Sequence, residues 1–96
     1  MLADIPSFVS TPEIRIDCPD SEKFAIVDDA VRHFSKHREV VGVDGARILF
    51  GDGWGLIRAS NTQPVLVARF EATSEARLTE IRNEVEGWLR SRGVNP

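Results

Sequence analysis

The chain has 96 residues, 42% of them hydrophobic and 28% charged, which fits one globular domain and excludes two. A net charge of −3 excludes the clustered basic footprint of a nucleic-acid binder, and no run approaches the roughly 20 apolar residues of a membrane span. No nucleic acid and no membrane are therefore expected as partners. The single cysteine, Cys18, can form no internal disulfide, which fits a cytoplasmic protein.

Residues 1–12 carry two prolines and no sustained period, so they read as an extended, linker-like lead-in to a domain spanning 13–96. From Glu13 to Cys18 the pattern alternates, with Ile14, Ile16 and Cys18 on one face and Arg15 and Asp17 on the other. This predicts a half-buried strand in which Cys18 is a small buried thiol. Pro19 stops the strand, and Asp20 or Ser21 can cap a helix whose apolar stripe is Phe24, Val27, Val31 and Phe34. The helix is expected to end near residues 36–38.

The period then becomes that of strands. Residues 40–43 form a short apolar run, Asp44-Gly45 is a two-residue hairpin signal, and residues 46–50 resume the strand. A second turn at Gly51-Asp52-Gly53 leads into residues 54–58. After a connection at 59–64, residues 65–72 form a longer strand rich in Val, Leu and Phe. Thr73 or Ser74 can cap a final helix with Leu78, Ile81, Val85, Trp88 and Leu89 on its apolar stripe, and Gly93 marks its end. The order strand, helix, consecutive strands, helix predicts an α+β fold with two helices on one face of a four-stranded antiparallel sheet, and allows one extra short hairpin strand. In the strand from Val65, Leu66, Ala68 and Phe70 can face the helices while Val65, Val67 and Arg69 face away. That second face is not purely polar and is expected to be partly covered by another domain or a partner.

The connection Arg58-Ala59-Ser60-Asn61-Thr62-Gln63-Pro64 concentrates a guanidinium, two hydroxyls and side-chain amides before a proline. Phosphate calls for this chemistry: several acceptor oxygens, donors converging from different directions, and a forked positive charge. Ser, Asn and Thr are also ordinary turn residues, so composition alone favours a plain strand connection. The glycines of 51–55 do not form a nucleotide fingerprint, because a strand follows them where such a motif opens a helix. His33 and His37 have the spacing of metal ligands on a helix but lack a third ligand, so they read as solvated, as does Asp28-Asp29. No residues show a recognisable nucleophile, base and orienting partner, so neither catalytic residues nor metal ligands are assigned.

Residues 54–72, from Trp54 through the loop to Ala72, closely resemble the C-terminal domain of bacterial phosphomannomutase/phosphoglucomutase, in the α-D-phosphohexomutase superfamily. Residues 9–15 and 44–47 resemble earlier landmarks of the same domain. The resemblance implies a TATA-binding-protein-like α+β fold and a parent enzyme of four domains. There a phosphoserine of the first domain exchanges phosphoryl groups with mannose or glucose 1- and 6-phosphates, the second domain holds Mg²⁺, and the third reads the sugar. The fourth grips the phosphate that does not react. It further implies that Arg58, Ser60, Asn61 and Thr62 hold that phosphate through their side chains, Ala59 through its backbone, and that Arg69 assists electrostatically. Partners would be the hexose phosphate and the other three domains, and a domain of this size would be inactive alone. Ala68 departs from the larger apolar residue common in relatives. The contrasting expectation is a free-standing interaction module that keeps the fold and uses the Val65 and Val67 face to bind a protein.

Overall fold

In a computed structural model describing residues 8–43 and 45–96, eight elements follow in order. They are β1 (Val9–Ser10), β2 (Ile14–Asp17), α1 (Asp20–Phe34), β3 (Glu39–Val41), β4 (Ala46–Leu49), β5 (Gly53–Ala59), β6 (Val65–Ala72) and α2 (Glu75–Ser91). The sheet is antiparallel, ordered β1-β6-β5-β4-β3, and β2 shares with β1 the same edge of β6. The α+β expectation holds: β2, β6, β5 and β4 make the central sheet, β3 is the extra hairpin strand, and both helices pack on one face.

Period-2 alternation decides what that face contains. The cross-strand row Ile14, Ala68, Ile57 and Ala46 lies beside the row Phe70, Gly55, Ile48 and Val40, and these rows meet the helices. Phe70, Ile48, Ile57 and Leu66 are fully buried, each worth roughly 1.5–3 kcal/mol of burial. From α2 come Ile81, Val85 and Leu89, as the sequence stripe predicts, with Leu78 and Trp88 at its margins. Ser74 caps α2 by accepting the Arg77 N–H at 3.1 Å, and Gly93 takes φ 84° just beyond its end.

The buried face of α1 differs from the expected stripe. Lys23, Ile26, Val27, Ala30 and Phe34 are buried, whereas Phe24 is 54% exposed and Val31 only half-buried. At about 100° per residue, Phe24 and Val31 lie roughly 80–100° around the helix from Lys23, which sits in the middle of the buried arc. Ile26 and Ala30 cannot reach the core together with Phe24, and the two of them prevail. The helix begins on Pro19 with no side-chain cap, because Asp20 already belongs to the first turn and pairs with Lys23 there. It ends at Phe34, where a turn replaces the continuation to residues 36–38.

The lead-in reading also changes. Residues 1–7 lie outside the described residues, but Val9 and Ser10 pair with Ala72 and Glu71. Thr11 is buried, donates its N–H to the Phe70 carbonyl at 3.0 Å, and accepts the Phe70 N–H on its hydroxyl at 3.1 Å. The ladder therefore continues where Pro12 cannot contribute an N–H. At the β3–β4 hairpin the pairing stops at Val41 and Arg47, so the connection is longer than the two-residue turn the sequence signalled. Asp44 of that signal lies outside the described residues.

Candidate anion site at the β5–β6 connection

The five residues singled out in sequence meet at one end of the β5–β6 hairpin. Arg58 and Ala59 close β5, and Ser60, Asn61 and Thr62 form the connection with Gln63 and Pro64. Ser60 N–H donates to the Val65 carbonyl at 3.0 Å and Val65 N–H to the Gln63 carbonyl at 2.8 Å, so the chain reverses within a few residues. The Ser60 hydroxyl oxygen accepts the N–H groups of Thr62 and Gln63, both at 3.3 Å, which folds the turn around it. With its oxygen so engaged, the Ser60 O–H hydrogen is left to donate outward.

Arg58 projects from the open face of the sheet, and its side chain is about half exposed. Among the described residues it meets the Glu13 carboxylate at 3.9 Å, a loose contact that leaves much of the guanidinium fork in water. The β3–β4 connection backs it: a Cβ on Gly45, which has φ 115°, would fall 2.5 Å from the Ile57 carbonyl and 3.3 Å from Arg58 Cβ. Only glycine lets that turn approach so closely. Between this turn, the loop and α1 lies a hollow of about 390 Å³, walled by Arg58, Ala59 and Asn61 on one side and Phe24, Asp28 and Val31 on another. Phe24 thus lines this hollow instead of the core.

The loop is held from behind by residues that the sequence patterns did not single out for function. Lys23, 3% exposed, donates from Nζ to the Gln63 carbonyl at 2.9 Å and pairs with Asp20 at 2.7 Å. Arg15 donates to the Gln63 side-chain carbonyl, and Cys18 N–H to the Pro64 carbonyl at 2.9 Å. The signal for Lys23 was available: a stripe drawn through 23, 26, 27, 30 and 34 follows helical spacing better than one drawn through Phe24.

The open face carries Arg58 and Arg15 flanking Val67, with Arg69, Leu56 and Arg47 in the next row. Arg69 is exposed on this face but lies outside the loop. Val65 and Val67 are only 9% and 7% exposed, since arginine stems flank Val67 and the returning loop adjoins Val65. The expected bare apolar face is therefore already largely covered within the chain.

The remaining singled-out residues have structural surroundings. His33 is exposed and stacks on Trp88 with ring centroids 5.4 Å apart, and His37 is exposed. Asp29 pairs with Arg32 and Arg92, and Asp28 borders the hollow. Cys18 is buried, and burial, with Glu22 adding, pushes its thiol pKa up, the reverse of what a nucleophile needs. Among the described residues no three His, Cys, Asp or Glu side chains converge as metal ligands. No described helix is long and apolar enough to cross a membrane.

The family described as phosphoglucomutase/phosphomannomutase, C-terminal domain, matches residues 13–87. A phosphomannomutase/phosphoglucomutase of Pseudomonas putida is 46% identical over 84 residues, covering 86% of this chain and 18% of the relative. A phosphoglucomutase of Neisseria meningitidis is 39% identical over 94 residues, covering 95% of this chain and 20% of the relative. Among solved structures, a phosphoglucomutase/phosphomannomutase family protein of Burkholderia thailandensis superposes with a TM-score of 0.70 at 40% identity, over 94% of this chain and 19% of that one. The chain thus spans about a fifth of the length of these relatives. With most of the sequence matched and the α+β architecture shared, this chain belongs to the family of phosphoglucomutase/phosphomannomutase C-terminal domains.

Proposed function

We propose that the loop at residues 58–62 grips the non-reacting phosphate of a hexose phosphate, as the C-terminal domain of a phosphohexomutase that interconverts hexose 1- and 6-phosphates in the cytoplasm. The observation that carries this reading is the gathering of Arg58, Ser60, Asn61 and Thr62 at one hairpin end, with the Arg58 fork exposed and the Ser60 hydroxyl oriented by two N–H groups. Arg58 supplies the charge and two parallel donors, and Ser60, Asn61 and Thr62 add donors from a second direction, with the Ala59 backbone beside them. Arg69, further along the same face, adds positive potential.

Such a grip reads phosphate and not the sugar, which suits an intramolecular phosphoryl transfer. The sugar is phosphorylated at its free position, the bisphosphate reorients, and its other phosphate takes the same loop while the first is removed. Transfer itself needs a phosphoserine and Mg²⁺ from other domains, so the chain alone binds without catalysing. Binding to the isolated chain is weak, because water competes at an open loop.

The test is titration of the isotope-labelled chain with glucose 1-phosphate and with mannose 6-phosphate, using free glucose as control. Amide shifts confined to residues 58–63, absent with glucose, are expected. Shifts centred on another surface would remove the assignment.

A further inference from the structure

A lysine ammonium withdrawn from water needs a reason, and Lys23 is 3% exposed at the centre of the buried arc of α1. An apolar residue there would complete the stripe made by Ile26, Val27, Ala30 and Phe34. What the lysine does instead is specific. Its Nζ donates to the Gln63 carbonyl at 2.9 Å while Asp20, exposed to water, balances its charge at 2.7 Å. The same carbonyl accepts the Val65 N–H at 2.8 Å, so both of its lone pairs are engaged at the turn where the loop re-enters β6.

We propose that Lys23 is the positioning residue of the phosphate loop: its buried ammonium holds the Gln63 carbonyl inward, so that the connection presents donors and not a carbonyl to the anion. This rests on the reading of residues 58–62 as a phosphate grip. The geometry separates tether from charge. The ammonium is paired with Asp20 at 2.7 Å, so its long-range pull on an anion is offset by that carboxylate. Its effect passes through the backbone of Gln63. A carbonyl released at this point could turn toward the bound phosphate, where two negative oxygens would repel.

Three forms of the chain test this, wild type, Lys23→Met and Asp20→Asn, titrated with inorganic phosphate and followed by amide shifts, with amide hydrogen exchange measured without phosphate. Lys23→Met is expected to bind phosphate roughly tenfold more weakly, as when an outer partner that orients a ligand is removed. It should also speed exchange at Val65 and at residues 60–63, while the core amides of β4 and α2 stay protected. Asp20→Asn leaves the tether in place and should bind within about twofold of wild type, as for removal of one exposed partner of an ion pair.

If Lys23→Met binds like wild type with unchanged loop exchange, the positioning role is wrong. Tighter binding by Asp20→Asn together with unchanged loop exchange in Lys23→Met would make the lysine a plain charge and overturn the tether. A wild type that ignores phosphate refutes the grip itself, whereas the exchange measurement still decides whether Lys23 shapes the loop. Should Lys23→Met fail to fold, the wild-type ammonium resonance of Lys23 serves: slow exchange with water and a shift on adding phosphate support the tether, and a fast-exchanging, unresponsive signal overturns it.

Discussion

Arg77 Nε lies 2.9 Å from each carboxylate oxygen of Asp52, joining the first turn of α2 to the β4–β5 turn. The hydrogen bond to Arg77 holds the Asp52 carboxyl below its ordinary pKa. A carboxylate whose folded pKa is depressed stabilises the fold above its unfolded pKa, and that contribution disappears as pH falls through the folded value. Asp52→Asn should therefore lower the urea midpoint at neutral pH, with the gap to wild type closing as pH falls below the ordinary Asp value of about 3.9. Paired urea titrations along a pH series check it, and a gap that persists in acid would mean Asp52 acts through something other than its charge.

Arg58→Ala should weaken binding of glucose 1-phosphate by about tenfold or more, the scale of losing charge-assisted hydrogen bonds. Because the side chain is half exposed and its one carboxylate contact among the described residues is Glu13 at 3.9 Å, the melting temperature should hardly change. Glu13→Gln makes the opposite change, releasing the guanidinium from a competing carboxylate, and should tighten binding by about twofold. Calorimetry and thermal melts on both variants read these two effects separately.

Gly53→Ala places a Cβ 2.4 Å from the Glu71 carbonyl and 2.7 Å from Ile81 Cδ1, where β5 runs under α2. The backbone carbonyl cannot yield without disturbing the β5–β6 ladder, so a loss of about 2 kcal/mol or more is expected. Gly87→Ala, on the solvent side of α2 with open space around it, should instead gain about 0.5–1 kcal/mol. Urea unfolding of the two variants should move in opposite directions.

Ile26→Ala should cost about 2–4 kcal/mol, since Ile26 is 3% exposed in the core. Phe24→Ser should cost less, about 1 kcal/mol, because roughly half of the residue is already in water. Equal losses from the two would place the α1 stripe where hydrophobicity alone puts it.

That contrast marks how far the sequence could be read. The α2 stripe was legible because Ile81, Val85 and Leu89 are large, apolar and helically spaced, with Ser74 a capping residue of the ordinary kind. The strands of residues 46–72 were legible from alternation and from turn glycines. On α1 the larger ring at Phe24 outweighs the smaller Ile26 and Ala30 in any hydrophobic stripe, and although helical spacing marks position 23 as buried, its bond to Gln63 spans forty residues and leaves no local pattern. Pairing of Val9–Ser10 with β6 was hidden for a similar reason, since a two-residue strand has no period. The loop's residue types were plain, whereas its shape depends on Arg15, Cys18 and Lys23, all distant in sequence.

Along β6, the entry strand and the candidate anion loop sit at opposite ends. β1 grips β6 at Glu71 and Ala72, and the loop emerges at its opposite end, before Val65. Six residues of strand, 65–70, separate the two, about 20 Å at roughly 3.3 Å per residue. A tilt of about 10° around the entry strand would carry the loop through roughly 3–4 Å over such an arm. For the proposed phosphate grip, displacement of that size is the difference between touching the anion and missing it, so leverage lies in the place where the chain enters the sheet.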